Sequence, residues 1–159
     1  GGGVAVGDVS EASAIEFAVL VLGVRHVVVC GHSGCGAMKA ALAGREKLAY
    51  APNLSAWLEH ADAAKTRLEA SPFIDSTLPP EDRLSQANVL AQLDHIASFA
   101  HVRELAEAEK LKLHAWWFEV ATGDVYVFDQ DRGAYILLDE EEAERVLAGK
   151  SAFSVGRAR

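Results

Sequence analysis

An imidazole and a thiol three residues apart, His32 and Cys35, lie in the run Cys30-Gly31-His32-Ser33-Gly34-Cys35-Gly36, directly after Val27-Val28-Val29. A neutral imidazole offers a nitrogen lone pair and a deprotonated thiol a soft sulfur, the donor types that zinc gathers into a tetrahedron. Gly31, Gly34 and Gly36 permit a turn tight enough for both donors to converge from one short segment. Two donors do not complete a site. The same turn nearly matches a Gly-x-Ser-x-Gly nucleophile elbow, with Ser33 as nucleophile and Cys35 where the last glycine belongs. A serine hydrolase would then need an acid and a base in that chain order, for which Asp94 and His114 can be nominated on sequence order alone.

The elements that must carry this turn follow from hydrophobic periodicity. Ile15, Ala18, Val19 and Leu22 fall at helical spacing, and Ser13 with Glu16 can form a capping box. Val24 to Cys30, continuous in valine, reads as a buried parallel strand, so His32 and Cys35 follow its carboxyl end, where open α/β sheets place their ligands. A short helix through residues 37–43 comes next. Asn53 can cap a helix with an apolar stripe of Leu54, Trp57, Leu58, Ala61 and Leu68. Pro79-Pro80 opens a long helix to about Ser98, and an acidic helix follows over 103–109. Residues 111–120 and 125–128 are rich in β-branched and aromatic side chains and flank the hairpin turn Ala121-Thr122-Gly123-Asp124. A short strand at 134–138 and a helix at 140–147, ended by Gly149, complete the chain. The fold class is therefore α/β: a mostly parallel central sheet flanked by helices, with an antiparallel edge from the late strands.

Composition narrows the function. The 159 residues, half of them apolar, suffice for a single domain over residues 1–159 with a substantial core. A net charge of −8 lacks the basic footprint of a nucleic-acid or anionic-membrane binder. The longest apolar stretch, around residues 17–22, is short of the roughly 20 residues of a membrane span. Two cysteines five residues apart suit a metal site better than a disulfide framework, and a reducing, cytoplasmic setting follows as the default. Cys30 is expected as a buried strand-end residue. His26, His60, His95, His101 and His114 have no mutual metal-like spacing and are expected on the surface or satisfied in the interior. Trp57, Trp116 and Trp117 suit core or subunit-interface packing, Glu140-Glu141-Glu142 a solvated helix start, and Asp8 a loop or cap. Asp129-Gln130-Asp131 reads as an acidic turn without a calcium loop.

The run from Cys30 to Gly36 resembles the second zinc motif of the β-class carbonic anhydrases. The resemblance extends to residues 13–19, to Asn88-Val89-Leu90-Ala91-Gln92-Leu93, and to Leu113-His114-Ala115-Trp116-Trp117-Phe118 with Thr122-Gly123, nearly the whole chain. It implies a zinc enzyme, a lyase acting as carbonate dehydratase, that reversibly hydrates carbon dioxide to bicarbonate and a proton. It also implies Zn2+ as cofactor, His32 and Cys35 as two of three protein ligands, and a homodimer or higher even oligomer with sites near the subunit boundary. Members carry an earlier Cys-x-Asp-x-Arg motif that supplies a further thiolate and an Asp/Arg pair. Nothing here matches it, and the chain opens at Gly1-Gly2-Gly3 without a methionine. An N-terminally truncated sequence is therefore expected, with no catalytic residue assignable within it. Its alternative is a catalytically silent zinc-binding or assembly module of the same fold.

Overall fold

The computed structural model describes residues 6–148, with side chains from residue 11 onward. Helix α1 spans Val6–Glu16 and runs into a π-helical turn, Phe17–Val21. The helix thus starts well before Ser13, which is not its cap. The wider π turn keeps Val19 buried and turns Leu22, the last residue of the expected stripe, out to solvent.

Strand β1 covers His26–His32, so it begins two residues later than expected and carries the strand into Gly31 and His32. Helix α2, Gly36–Ala43, follows the glycine turn. The segment expected as one helix from Asn53 is broken into α3 at Pro52–Trp57, a 3-10 turn at Leu58–Ala61 and α4 at Asp62–Glu69, and Ala51 rather than Asn53 takes the cap position. Its stripe is only partly inward: Leu58 and Ala61 are buried, whereas Leu54 and Trp57 are exposed. The long helix α5, Pro80–Ser98, is the structural centre, and α6 at Ala100–Glu107 leads into β2, Lys112–Phe118. Strands β3, Val125–Asp129, and β4, Ala134–Leu137, precede α7, Glu140–Leu147. Gly149, expected to end this last helix, lies outside the described residues.

The four strands lie in chain order β1-β2-β3-β4. β1 and β2 are parallel, with His26 opposite Lys112 and His32 opposite Phe118. β2 with β3 and β3 with β4 are antiparallel, as the hairpin signal requires. The sheet is thus mixed, and its parallel part among the described residues is the single pair β1–β2. Helix α5 covers one face, where Val89, Leu90 and Leu93 pack with Leu113, Ala115 and the partly buried Val27 and Val29. A second cluster joins Met38 and Ala41 of α2 with Leu58, Ala61, Ala64 and Leu84, so α5 separates and braces both cores.

On the other face of β1, Val28 and Cys30 are exposed. Cys30 is therefore not the buried strand-end residue its type suggests. Among the described residues β1 lies at the edge of the sheet, and α5 shields only its alternate residues Val27, Val29 and Gly31. Glu142 departs from expectation in the opposite sense. It is buried, and Arg132 Nη1 meets its Oε2 at 2.8 Å while Arg145 Nε lies 3.4 Å away. Arg145 also reaches the fully buried Asp129, whose Oδ1 accepts the backbone N–H groups of Asp131 and Arg132. The acidic turn after β3 is thus tied to α7, with Asp139 capping that helix through Glu142 N–H.

His114, buried on β2, lies with its Nε2 3.0 Å from Nδ1 of His26 on β1. Burial, then the neighbouring His26 and Lys112, pull the His114 pKa down to about 4 from an ordinary 6.5. Its ring is neutral at pH 7, and one of the two facing nitrogens donates to the other. Because the folded value lies below the unfolded one, the stabilisation is complete above about pH 6.5 and is lost as pH falls toward 4. Between pH 7 and pH 4 the chain should lose on the order of 2 kcal/mol through this residue. Urea titrations at both pH values should show that loss shrinking in His114→Gln; an equal loss in both proteins would contradict the assignment.

Candidate metal centre

His32 ends β1 and Cys35 is the residue before the first turn of α2. His32 is exposed and Cys35 half-buried. Nδ1 of His32 lies 2.9 Å from the carbonyl oxygen of Ser33. A carbonyl only accepts, so Nδ1 carries the proton, and in the neutral ring the lone pair is at Nε2. Fixing a ligating histidine's tautomer through its second nitrogen is the usual way a protein aims the first. Cys30, by contrast, is exposed as a residue, yet partial desolvation of its sulfur raises the thiol pKa, and the sulfur is turned toward the Gly31 carbonyl at 3.5 Å, which suits a protonated thiol.

The turn between the two donors is anchored residue by residue. The Trp117 indole N–H donates to Ser85 Oγ at 3.2 Å, and that hydroxyl donates to the His32 carbonyl at 2.9 Å. The Ser33 N–H donates to the Phe118 carbonyl at 2.9 Å, continuing the β1–β2 ladder past the strand end. Ser33 Oγ donates to Glu119 Oε1 at 2.7 Å and accepts the Val120 N–H at 2.9 Å. The Ser33 hydroxyl, together with the Ala121 N–H, holds the Glu119 carboxyl below the ordinary carboxylate range. Gly34 adopts φ +65°, a left-handed conformation that L side chains resist, and its N–H donates to Asp82 Oδ1 at 2.6 Å. The Cys35 carbonyl accepts the Lys39 N–H, which starts α2.

These bonds decide against the nucleophile reading of Ser33. Its hydroxyl is engaged by a carboxylate and a backbone amide, while the two nominated partners are engaged elsewhere. His114 Nε2 is turned to His26, and Asp94 pairs with Arg67 at 3.6 Å. Burial raises the Asp94 pKa, with Arg67 opposing. Ser33, His114 and Asp94 are therefore not assembled into a Ser-His-Asp relay.

Donor chemistry at the turn suits zinc, but His32 and Cys35 supply two donors. Among the described residues, no group of three or more His, Cys, Asp or Glu side chains is arranged to hold a metal. Asp82, Ser85 and Glu119, which anchor the turn, carry no spacing signal in the sequence; only the i, i+3 relation of Asp82 and Ser85 places both on one face of α5.

Comparison with known proteins gives this turn its context. The family model described as Carbonic anhydrase matches residues 2–125. The chain belongs to the carbonic anhydrase family. A carbonic anhydrase from Pseudomonas aeruginosa is 35% identical over 143 residues, which are 90% of this chain and 64% of that protein. Beta carbonic anhydrase 1 from Caenorhabditis elegans is 32% identical over 171 residues, 90% of this chain and 63% of that protein. The solved structure of the β-carbonic anhydrase CcaA superposes with a TM-score of 0.70 at 26% identity, covering 88% of this chain and 60% of that one. This chain thus spans less than two thirds of the length of these relatives.

Within the carbonic anhydrase turn, Gly31 has a steric requirement that its neighbours do not share. A Cβ there would meet Val89 Cγ2 at 2.6 Å, Ser85 Oγ at 3.1 Å and Trp117 Cδ1 at 3.3 Å, so α5 packs directly on the strand backbone. Gly31→Ala should destabilise the fold by about 1–3 kcal/mol through overpacking. An unchanged urea midpoint would show that α5 can withdraw at no cost.

Proposed function

We propose that the protein to which this chain belongs is a zinc-dependent carbonate dehydratase, catalysing reversible hydration of carbon dioxide to bicarbonate and a proton, with His32 and Cys35 as two of its metal ligands. The observation that carries this reading is the His32 tautomer. Its Nδ1 is held by the Ser33 carbonyl on a turn that also presents Cys35, in a chain of the carbonic anhydrase family. When bound, zinc would supply Lewis acidity that makes water a nucleophile near neutral pH, as the carbonic anhydrases exemplify.

The chain's own residues would orient the donors. Ser85 fixes the His32 carbonyl, and Ser33 joins the turn to the carboxyl end of β2 through Phe118, Glu119 and Val120. The remaining donors, and the groups that orient the reacting oxygen, would come from outside the described residues. Exposed Phe17, Leu20, Val21, Leu22 and Val28 are consistent with assembly into an even oligomer, and relatives from Sordaria macrospora are described as tetrameric. No helix among the described residues is long and apolar enough to cross a membrane, and both cysteines are free thiols, in keeping with a reducing compartment such as the cytoplasm.

Stopped-flow hydration of carbon dioxide, measured on the full gene product, tests the reading. A chelator should abolish activity and zinc restore it, while His32→Ala and Cys35→Ser should each cost at least about 100-fold through lost metal. A zinc-loaded protein without hydration activity would identify the silent module instead. Chelator-resistant hydrolysis of an ester substrate, lost in Ser33→Ala, would support the hydrolase instead.

A further inference from the structure

We propose that Asp82 is a positioning residue of the ligand turn, fixing the peptide between Ser33 and Cys35 by accepting the Gly34 N–H. The inference rests on the reading of His32 and Cys35 as metal ligands, and it names the group that sets their relative orientation. Three residues of the turn have anchors that do not involve Asp82. His32 is held through its carbonyl by Ser85, Ser33 through its N–H and hydroxyl by the end of β2, and Cys35 through its carbonyl by Lys39 N–H.

Gly34 is the joint between them. Glycine is the most permissive residue in backbone dihedrals, and nothing lies within 4 Å of the position its Cβ would take. Packing therefore does not hold this peptide, whereas the 2.6 Å bond to the Asp82 carboxylate does. A rotation about Gly34 would swing the thiol of Cys35 relative to the imidazole of His32.

The carboxylate is built for that purpose. Asp82 is 6% exposed, in the first turn of α5, and its own N–H donates to the Pro79 carbonyl at 2.9 Å. An acidic side chain there is favoured by the helix dipole, and a hydrogen bond to an ionised acceptor is about twice as strong as a neutral one. One helical turn later on the same face, Ser85 holds the His32 carbonyl. Two bonds from one rigid helix therefore bracket Ser33 and set both donors against a single frame.

Two readouts on the full gene product test this. The first is amide hydrogen exchange at Gly34 in metal-free protein, resolved by fragmentation mass spectrometry. The second is Co2+ affinity, followed by the thiolate-to-cobalt charge-transfer band. Asp82→Ala should speed Gly34 exchange about tenfold or more and weaken Co2+ binding about 10- to 100-fold. Asp82→Asn keeps an acceptor without charge, and should fall between parent and Asp82→Ala on both readouts. If Asp82→Ala does not fold, Asp82→Asn against parent decides, with both readouts moving together by a few fold.

Unchanged Gly34 exchange in a folded Asp82→Ala would overturn the proposal. So would weakened Co2+ binding with Gly34 exchange at the parent level, because Asp82 would then act through its charge alone. If the parent shows no charge-transfer band, the ligand reading fails, and Gly34 exchange by itself decides whether Asp82 fixes the turn.

Discussion

The Ser85 hydroxyl, buried between the Trp117 indole and the His32 carbonyl, joins helix, sheet and turn at one point. It can make both bonds only because Gly31 brings the β1 backbone into contact with α5, where any side chain would collide with Val89. Close approach, bond and turn geometry are therefore one constraint. Loosening the helix from the strand would release the His32 carbonyl and with it the aim of the imidazole. Such a polar chain is stabilising when every member is satisfied, and here indole, hydroxyl and carbonyl each have a partner.

The two sides of the molecule are built differently. Around α5 the packing is dense: Leu84, Ala87, Leu90, Leu93 and Leu113 are fully buried. The far end of the sheet is held by the charged network of Asp129, Arg132, Glu142 and Arg145, which locks the β3–β4 turn to α7. In a buried network of this kind, breaking a single member is expected to cost more than the net contribution of the intact set, because it strands an uncompensated charge. At the opposite end β1 has one strand neighbour among the described residues, and Val28 and Cys30 face outward on the side of His32. The exposed side of the turn and the exposed side of the strand coincide, which is where additional metal donors would have to approach.

Much of this was legible in the sequence because it depends on local pattern. The strand before the turn, the Pro79-Pro80 start of α5, the hairpin at residues 121–124 and α7 all rest on periodicity or turn chemistry, and the structure has each of them. The His32-x-x-Cys35 spacing likewise marked the turn. Other features depend on neighbours distant in the chain. Free cysteines are usually buried, but Cys30 is exposed because its side of β1 has no covering element among the described residues. Glu142 read as a solvated residue of an acidic helix start, yet arginines at 132 and 145 converge on it only once β4 and α7 fold together. Ser85 and Asp82 were invisible for the same reason: their partners lie 53 and 48 residues away, and nothing in α5's own pattern distinguishes them from ordinary helix residues.

The central claim is that one nitrogen of His32 and the sulfur of Cys35 point at a common cation. X-ray absorption at the zinc edge of the full gene product tests it most directly. The account predicts sulfur scatterers at about 2.3 Å and nitrogen scatterers at about 2.0–2.1 Å, with one sulfur lost in Cys35→Ser and one nitrogen lost in His32→Ala. An unchanged coordination shell in both variants would contradict it.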